Sequence, residues 1–282
     1  MPTGTCLAGS IVIEPRFNAR DMDFLRALVE EIAKRELMGR FCRIEGQIKA
    51  DGSVVTETDL VMQHQIEEGL RQRWPEIPLL GEEMRATEQK QLVREAEGYW
   101  CLDPLDGTTN YAAGLPFFAV SLAYIHTGVV QAGIVYDPVR CECFSALRGE
   151  GAWLNDAPLR LAGAVPPLVR CIGVVDLKRL DRRLRHALVD DPPFRSLRSL
   201  GAVALEWCWL AAGRCQLYLH GGQKLWDYAA GSLILEEAGG HGCLLDGMQG
   251  ECGGTRGLTP QMAIAAVDGT LFNQWRRWLQ AQ

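Results

Sequence analysis

Asp103 and Asp106 stand three residues apart on either side of Pro104, with Gly107, Thr108 and Thr109 directly after them. Two acids so close repel each other unless a cation lies between them. Hard oxygen donors at short spacing suit Mg²⁺, which takes a few carboxylates, some waters and the phosphate oxygens of a substrate. The Asp-Gly-Thr-Thr run also offers N–H groups and hydroxyls to an anion, as a helix start or nest does. Metal ligands beside an anion cradle point to phosphate chemistry; the competing reading is a surface turn rich in Asp, Gly and Thr. A second acidic pair, Glu82-Glu83, follows Gly81 at the end of the apolar run Pro78–Leu80. If neighbouring strands end on one edge, Glu82 and Asp103 can share a metal. A third acid, Asp227, lies in Trp226-Asp227-Tyr228-Ala229-Ala230-Gly231. It either caps a helix or projects into a cleft as a further metal ligand. The small residues behind it would let that helix end press against another backbone. Asp59 carries the same pair of readings, cap or water-positioning carboxylate, and so do Thr56 and Lys49.

The elements that must position these residues follow from periodicity. Tyr99 to Leu102 suits a buried strand, and Pro104 is expected to take the chain out of the sheet. Residues 1 to 17 look like a loose arm. Asn18–Phe41 reads as a helix with the stripe Phe24, Leu25, Leu28, Ile32 and Met38. Lys49–Ser53 is a turn-rich loop, and a second helix starts at a cap, Thr58 or Asp59, and buries Val61, Met62, Ile66, Leu70 and Trp74. Phe117 to Trp153 alternates or runs apolar between turn signals, as an antiparallel meander does. Val165-Pro166-Pro167 reads as a hinge, which divides the chain into 1–164, carrying most of the candidate metal ligands, and 165–282, carrying the Trp-Asp motif and the substrate-reading candidates. The second part alternates strand (168–175, 216–219, 242–245, 262–267) with helix (180–189, 201–212, 226–238, 271–279), with an extended stretch at 196–200.

The chain has 282 residues, 48% hydrophobic and 23% charged, with a net charge of -6 and no block of Lys and Arg. That composition is ample for a buried core and argues against a nucleic-acid surface as the main function. No charged start followed by a long apolar run marks a signal peptide, and the apolar stretch Ala202–Ala212 is broken by Glu206, short of a membrane span. A cytoplasmic protein with no membrane role is expected. The 10 cysteines then read as reduced, mostly buried thiols. Cys141-Glu142-Cys143 lacks the second pair that a zinc finger needs.

Glu82-Glu83, Asp103-Pro-Leu-Asp106-Gly-Thr108 and Trp226-Asp227-x-Ala-Ala-Gly, in this order and rough spacing, resemble the inositol monophosphatase family of Mg²⁺-dependent, Li⁺-sensitive phosphatases. Gly149-x-Gly-Ala152 and Arg198-x-x-Gly201-Ala202 resemble its minor motifs, so the likeness covers nearly the whole chain. The resemblance implies an α+β / α/β sugar-phosphatase fold layered α-β-α-β-α. The first half would be α+β with an antiparallel sheet, the second α/β, and the protein a homodimer. It implies two to three Mg²⁺ per site. Glu82, Asp103 and the Leu105 carbonyl would hold the first; Asp103, Asp106 and Asp227 the second; Glu82 would also help to hold a third, labile ion. Gly107 and Thr108 would bind phosphate through N–H groups. Thr108, hydrogen-bonded to Asp59, would position a metal-activated water. Glu83 and Lys49 would form an outer shell; Asp106, Gly201 and Ala202, together with His220 and Lys224 from this chain's own sequence, are the candidates to face the substrate. No cysteine phosphate loop, nucleophile-elbow serine or nucleotide P-loop offers a covalent or nucleotide route. The expected reaction is hydrolysis of a small sugar or polyol phosphate of the inositol 1-phosphate kind. Fructose 1,6-bisphosphate, 3′-phosphoadenosine 5′-phosphate and histidinol phosphate are rivals. An accessory binding role in a transcription complex is the rival of another class. One departure bears on substrate: where relatives acting on inositol phosphates carry a Glu seven residues before the Trp-Asp acid, this chain has His220. An imidazole does not accept hydrogen bonds from two hydroxyls as a carboxylate does. His220 either reads a hydroxyl or is a plain strand-end residue, and Lys224 either meets a second phosphate or carboxylate or is a solvated loop charge.

Overall fold

The structure is a computed structural model, and it describes residues 17–41, 47–48, 54–55, 57–245 and 257–282. Near-continuous burial organises its larger sheet. β4 (Gly98–Asp106), β5 (Ala119–His126) and β6 (Val129–Asp137) are apolar along nearly their whole length, so both faces of the sheet must be covered. β3 (Leu79–Gly81) pairs parallel with β4. β7 (Glu142–Leu147), β8 (Gly151–Leu154) and β9 (Ala157–Leu159) continue the meander antiparallel, in the order β3-β4-β5-β6-β7-β8-β9. Two short strands, β1 (Gln47–Ile48) and β2 (Val54–Val55), pair with each other before it.

One face of this sheet carries α1 (Ala19–Ala33) and α2 (Glu57–Arg73), which bury Leu25, Val29, Ile32, Met62, Ile66 and Leu70 against Trp100, Leu122 and Tyr124. Asn18 caps α1, its side chain accepting from the Arg20 and Asp21 N–H groups. The helix then continues through one π-helical turn, Lys34–Met38. The buried stripe runs on through it at Val29, Ile32, Ala33, Glu36 and Leu37, the ordinary helical spacing, and Met38 faces out at 37% exposure. The expected stripe ended on Met38, which lies out of phase with Ile32 in a 3.6-residue period; Leu37, four residues after Ala33, takes the buried place. Phe17 is no part of an arm. It is buried against Trp74, Trp100 and Tyr124.

On the opposite face lie α6 (Val203–Ala211) and α7 (Leu225–Glu237), which also cover the second sheet. That sheet runs β11 (Ser196–Arg198), β10 (Ile172–Asp176), β12 (Leu217–Gln223), β14 (Gln261–Ala266), β13 (His241–Leu245); its first two pairings are parallel and the rest antiparallel. α5 (Arg182–Asp190) follows β10, and α8 (Gly269–Gln280) packs outside β13 and β14. The resulting order is helix pair, sheet, helix pair, sheet, helices, as the resemblance implies. The small residues of α7 serve the contact expected of them: a Cβ on Gly231 would lie 2.5 Å from the Trp207 Cβ on α6. Short elements that periodicity did not show are α3 (Ala86–Glu95), α4 (Thr108–Ala112) and the 3₁₀ turns Leu168–Arg170 and Leu177–Arg179. Cys101, Cys141, Cys143, Cys171, Cys208 and Cys215 are free thiols, but Cys243 is disulfide-bonded, which departs from the expectation of reduced thiols throughout. No helix among the described residues is long and apolar enough to cross a membrane.

Candidate active site

Pro104 does not end the strand. β4 runs on to Asp106, and its pairing with β5 slips between Asp103 and Asp106, so the proline occupies a bulge where no ladder hydrogen bond is needed. The bulge turns both carboxylates toward one cleft of about 710 Å³, whose lining includes Glu82, Asp103, Asp106, Thr108, Asp227 and His220. Glu82 follows the end of β3, next to β4, and its N–H donates to the Leu102 carbonyl at 3.2 Å. The two strand ends thus share an edge.

Asp103 Oδ1 accepts from the Leu105 N–H at 3.0 Å, and Oδ2 has no hydrogen bond among the described residues. Burial, then the nearby Glu82, Asp106 and Asp227, pushes the Asp103 carboxyl well above the usual carboxylate range. Asp106 uses both oxygens on the start of α6, accepting from the Val203 N–H at 3.0 Å and the Ala204 N–H at 2.7 Å. It supplies from another element the cap that Ala202 at the helix start lacks. Burial and the neighbouring Asp227 and Glu206 raise its carboxyl strongly too. Asp227 is the third residue of α7 rather than its cap. Its Oδ2 accepts from the Lys224 N–H at 2.8 Å, and burial and Glu82 push the carboxyl up to about 7. This is a concentration of negative charge; among the described residues the cations set against it are Lys224, whose Nζ lies 3.8 Å from Glu82 Oε1, and Arg179, and both favour the charged form of Asp227 without cancelling the rise.

Such a donor set fits a hard divalent cation. Among the described residues no three Asp, Glu, His or Cys side chains close into a cage by themselves. Mg²⁺ does not require one, since waters and substrate oxygens complete its shell. Beside the carboxylates, Gly107 (φ 88°) starts α4, and the Thr108 hydroxyl lies 2.9 Å from the Leu105 carbonyl and 3.3 Å from Asp59 Oδ1. Thr58 and Asp59 both fall inside the first turn of α2, so neither caps it, and Asp59 is 1% exposed. Gly201 (φ 82°) and Val203 line the opposite wall, whereas Ala202, expected to face the substrate, is fully buried behind it with its Cβ packed toward Gly107. The Asn110 amide ties that wall to α4 by donating to the Leu200 carbonyl at 2.8 Å. The Glu83 N–H donates to Gln63 Oε1 at 3.3 Å. Lys49, Thr56 and the 49–53 loop lie outside the described residues.

His220 is 2% exposed, and both ring nitrogens are engaged. Nδ1 accepts from the Gly222 N–H at 3.2 Å, and Nε2 faces Asp176 Oδ2 at 3.2 Å. Asp176, Lys178, Arg179 and Glu206, none of them a site candidate from the sequence, also line the cleft; the basic group Arg179 to Arg185 reads in sequence as a solvated helix face, but Arg179 donates to Asp176 Oδ2. The signal for Glu206 was present: it is the one charged residue inside an apolar helix. Its Oε1 accepts from the Leu200 and Gly201 N–H groups at 3.2 and 2.9 Å, and burial pushes its carboxyl up to about 7. Asp176, the last residue of a strand that pairs with β12, carried no local signal.

A family model described as "Inositol monophosphatase family" matches residues 20–275. The chain belongs to the inositol monophosphatase family. It is 38% identical over 210 residues to the "Nus factor SuhB" of Pasteurella multocida, an alignment covering 72% of this chain and 76% of that protein. It is 34% identical to the "Inositol-1-monophosphatase" of Mesorhizobium japonicum, over 75% of this chain and 79% of the relative. The crystal structure of the extragenic suppressor protein suhB from Bartonella henselae superposes with a TM-score of 0.80 at 26% identity, over 93% of this chain and 99% of that one. As an inositol monophosphatase family member, the chain is a phosphoric monoester hydrolase.

Proposed function

We propose that this enzyme hydrolyses a small sugar or polyol phosphate of the inositol 1-phosphate kind, with Mg²⁺ bound by Glu82, Asp103, the Leu105 carbonyl, Asp106 and Asp227. The observation that carries this reading is the β4 bulge, which turns Asp103 and Asp106 into one cleft with Asp227, where burial and mutual repulsion raise all three carboxyls. Two or three ions suit that cluster. Once bound they would supply a water of lowered pKa, neutralise phosphate charge and stabilise the leaving alkoxide. Phosphate monoesters hydrolyse very slowly in water, so large stabilisation of this sort is required.

The remaining steps belong to the chain itself. The N–H groups of Gly107 and Thr108 take phosphoryl oxygens, a fixed set of donors that needs no reorganisation during reaction. The Thr108 hydroxyl, between the Leu105 carbonyl and Asp59, orients the attacking water. Asp106 fixes the start of α6 and with it Gly201 and Val203, which line the cleft. Glu83, and Lys49 by the resemblance, support the ligands from outside. Fructose 1,6-bisphosphate, 3′-phosphoadenosine 5′-phosphate and histidinol phosphate are the rival substrates. We place the protein in the cytoplasm as a homodimer with no nucleic-acid or membrane partner of its own. The test is phosphate release in Mg²⁺ over these four compounds, repeated with EDTA and with Li⁺. One strongly preferred substrate silenced by EDTA supports the reading, and release that ignores EDTA overturns it.

A second role, as an accessory factor in a transcription complex, is favoured by the relative from Pasteurella multocida whose name is Nus factor SuhB. Asp106→Asn separates the two roles. A variant that loses function in the cell with partner binding intact assigns that function to the hydrolase.

A further inference from the structure

We infer that the leaving-group end of this cleft is read by Asp176, held in place by His220 and Arg179, and that the group it takes is a neutral hydroxyl of the phosphorylated compound. The inference rests on the phosphatase reading above and assigns its specificity. Asp176 ends β10 and is the register partner of His220 on β12, so the sheet itself sets the two side by side. The imidazole has no capacity left for a substrate. Its Nδ1 accepts from the Gly222 N–H at 3.2 Å, which places the ring hydrogen on Nε2, and Nε2 donates to Asp176 Oδ2 at 3.2 Å. The ring is 2% exposed, and burial lowers its pKa below the ordinary histidine value, against the pull of Asp176, so it is neutral at pH 7.

Asp176 is differently placed. Its side chain is 17% exposed, and it lines the cleft. Oδ1 accepts from the Lys178 N–H at 2.8 Å; Oδ2 accepts from Arg179 Nη1 at 2.8 Å and from His220. Burial opposes its charge, but the His220 and Arg179 hydrogen bonds outweigh that and hold the carboxyl well below the usual range. An ionised carboxylate has about four acceptor positions. Three are taken here, and one remains on Oδ1, beside a guanidinium with further N–H donors. One acceptor next to several donors matches a hydroxyl, which both donates and accepts. The charges decide against a second anion: Asp176 and Arg179 cancel, and His220 adds nothing. Lys178, exposed on the same turn, argues the other way; Lys224, which also lines the cleft, lies 3.8 Å from Glu82 Oε1. The turn itself is fixed, because a Cβ on Gly221 would lie 2.1 Å from the Arg179 carbonyl oxygen. The carboxylate missing from position 220 is thus supplied across the sheet, and His220 is a positioning residue that acts through it.

The test compares kcat/KM for inositol 1-phosphate with that for phenyl phosphate, whose leaving group has no second hydroxyl. The isosteric Asp176→Asn should lower the ratio of the two by roughly ten- to a hundredfold, the effect of losing a hydrogen bond to a charged group. The fall should lie chiefly in KM for the polyol. His220→Ala should lower the ratio similarly, and His220→Gln, which can still accept from Gly222 and donate to Asp176, should restore it. The double variant Asp176→Asn/His220→Ala should be no worse than either single one. An unchanged ratio in Asp176→Asn overturns the inference. So does a wild-type preference for fructose 1,6-bisphosphate that disappears in Lys178→Ala. Release from phenyl phosphate without any preference for the polyol removes this subsite alone, whereas no Mg²⁺-dependent release from either compound removes the phosphatase reading and the subsite together.

Discussion

Asp103→Asn and Asp106→Asn should both end turnover, yet they should differ in stability, because the two carboxylates do different structural work. At Asp103 the only hydrogen bond among the described residues is from the Leu105 N–H to Oδ1, at 3.0 Å. An asparagine oxygen keeps it. The substitution also removes a buried charge from beside Glu82, Asp106 and Asp227. Without metal, Asp103→Asn should be as stable as the parent or more so. Asp106 accepts two N–H groups at the start of α6, one on each oxygen, at 3.0 and 2.7 Å. Asparagine keeps one acceptor and turns an NH₂ group toward the other N–H. A buried donor left unpaired costs about 1–3 kcal/mol, and loss of a negative charge at a helix start adds about 0.3–1 kcal/mol. Relief of repulsion offsets part of this, so a net loss of about 2 kcal/mol is expected. For a chain of this size that lowers Tm by roughly 4–8 °C. Thermal unfolding in EDTA at pH 8, followed by circular dichroism, measures the difference. If Asp106→Asn melts with or above Asp103→Asn, the carboxylate does not hold α6 as described.

Mg²⁺ should raise Tm, by roughly 5–10 °C at about a hundred times its dissociation constant if it binds only the folded chain. EDTA should reverse the rise, and Asp103→Asn should abolish it; an equal rise in that variant would remove Asp103 from the ligand set. Glu206 gives a pH dependence. Its folded pKa of about 7 lies above the ordinary 4.5, so the folded state keeps a proton that the unfolded chain has released. Its contribution is therefore complete below pH 4.5 and is lost as pH rises toward 7, by up to about 3 kcal/mol. Glu206→Gln, which keeps the acceptor of both N–H groups, should flatten the denaturant-measured stability across that window; an unchanged profile would refute the assignment. Gly231→Ala should destabilise by about 1–3 kcal/mol, since the added Cβ meets the Trp207 Cβ at 2.5 Å. It should also lower activity by shifting Asp227; a variant with normal Tm and turnover would show that the helix pair gives way easily.

The parts of the fold that were legible in the sequence are those set by local periodicity. The apolar runs of β4 to β6 and the alternations after them announced the meander, and the small residues at Ala229–Gly231 announced a close helix contact that Gly231 and Trp207 make. What local pattern could not carry is phase and partnership. In the first helix Met38 was counted into the stripe for its type, whereas the helical phase set by Ile32 and Ala33 buries Leu37. Pro104 was read as a strand end because a bulge that spares it a ladder bond is a property of two strands. The acids of the candidate site were legible because clustered carboxylates are conspicuous in sequence. Asp176 was not, since a single acid at a strand end acquires meaning only from its neighbour across the sheet, and His220 looked like a reader of substrate for the same reason. Glu206 was visible as an anomaly in an apolar helix, but its partners, the Leu200 and Gly201 N–H groups, belong to a turn whose path sequence alone does not give.

The most direct test of the central claim is phosphate release from inositol 1-phosphate by the parent enzyme and by Asp103→Asn, each with Mg²⁺ and with EDTA. Release by the parent in Mg²⁺ alone, with none from Asp103→Asn at any Mg²⁺ concentration, is the predicted result. Near-normal turnover by Asp103→Asn at saturating Mg²⁺, or parent turnover that survives EDTA, would contradict the assignment of these carboxylates to the metal.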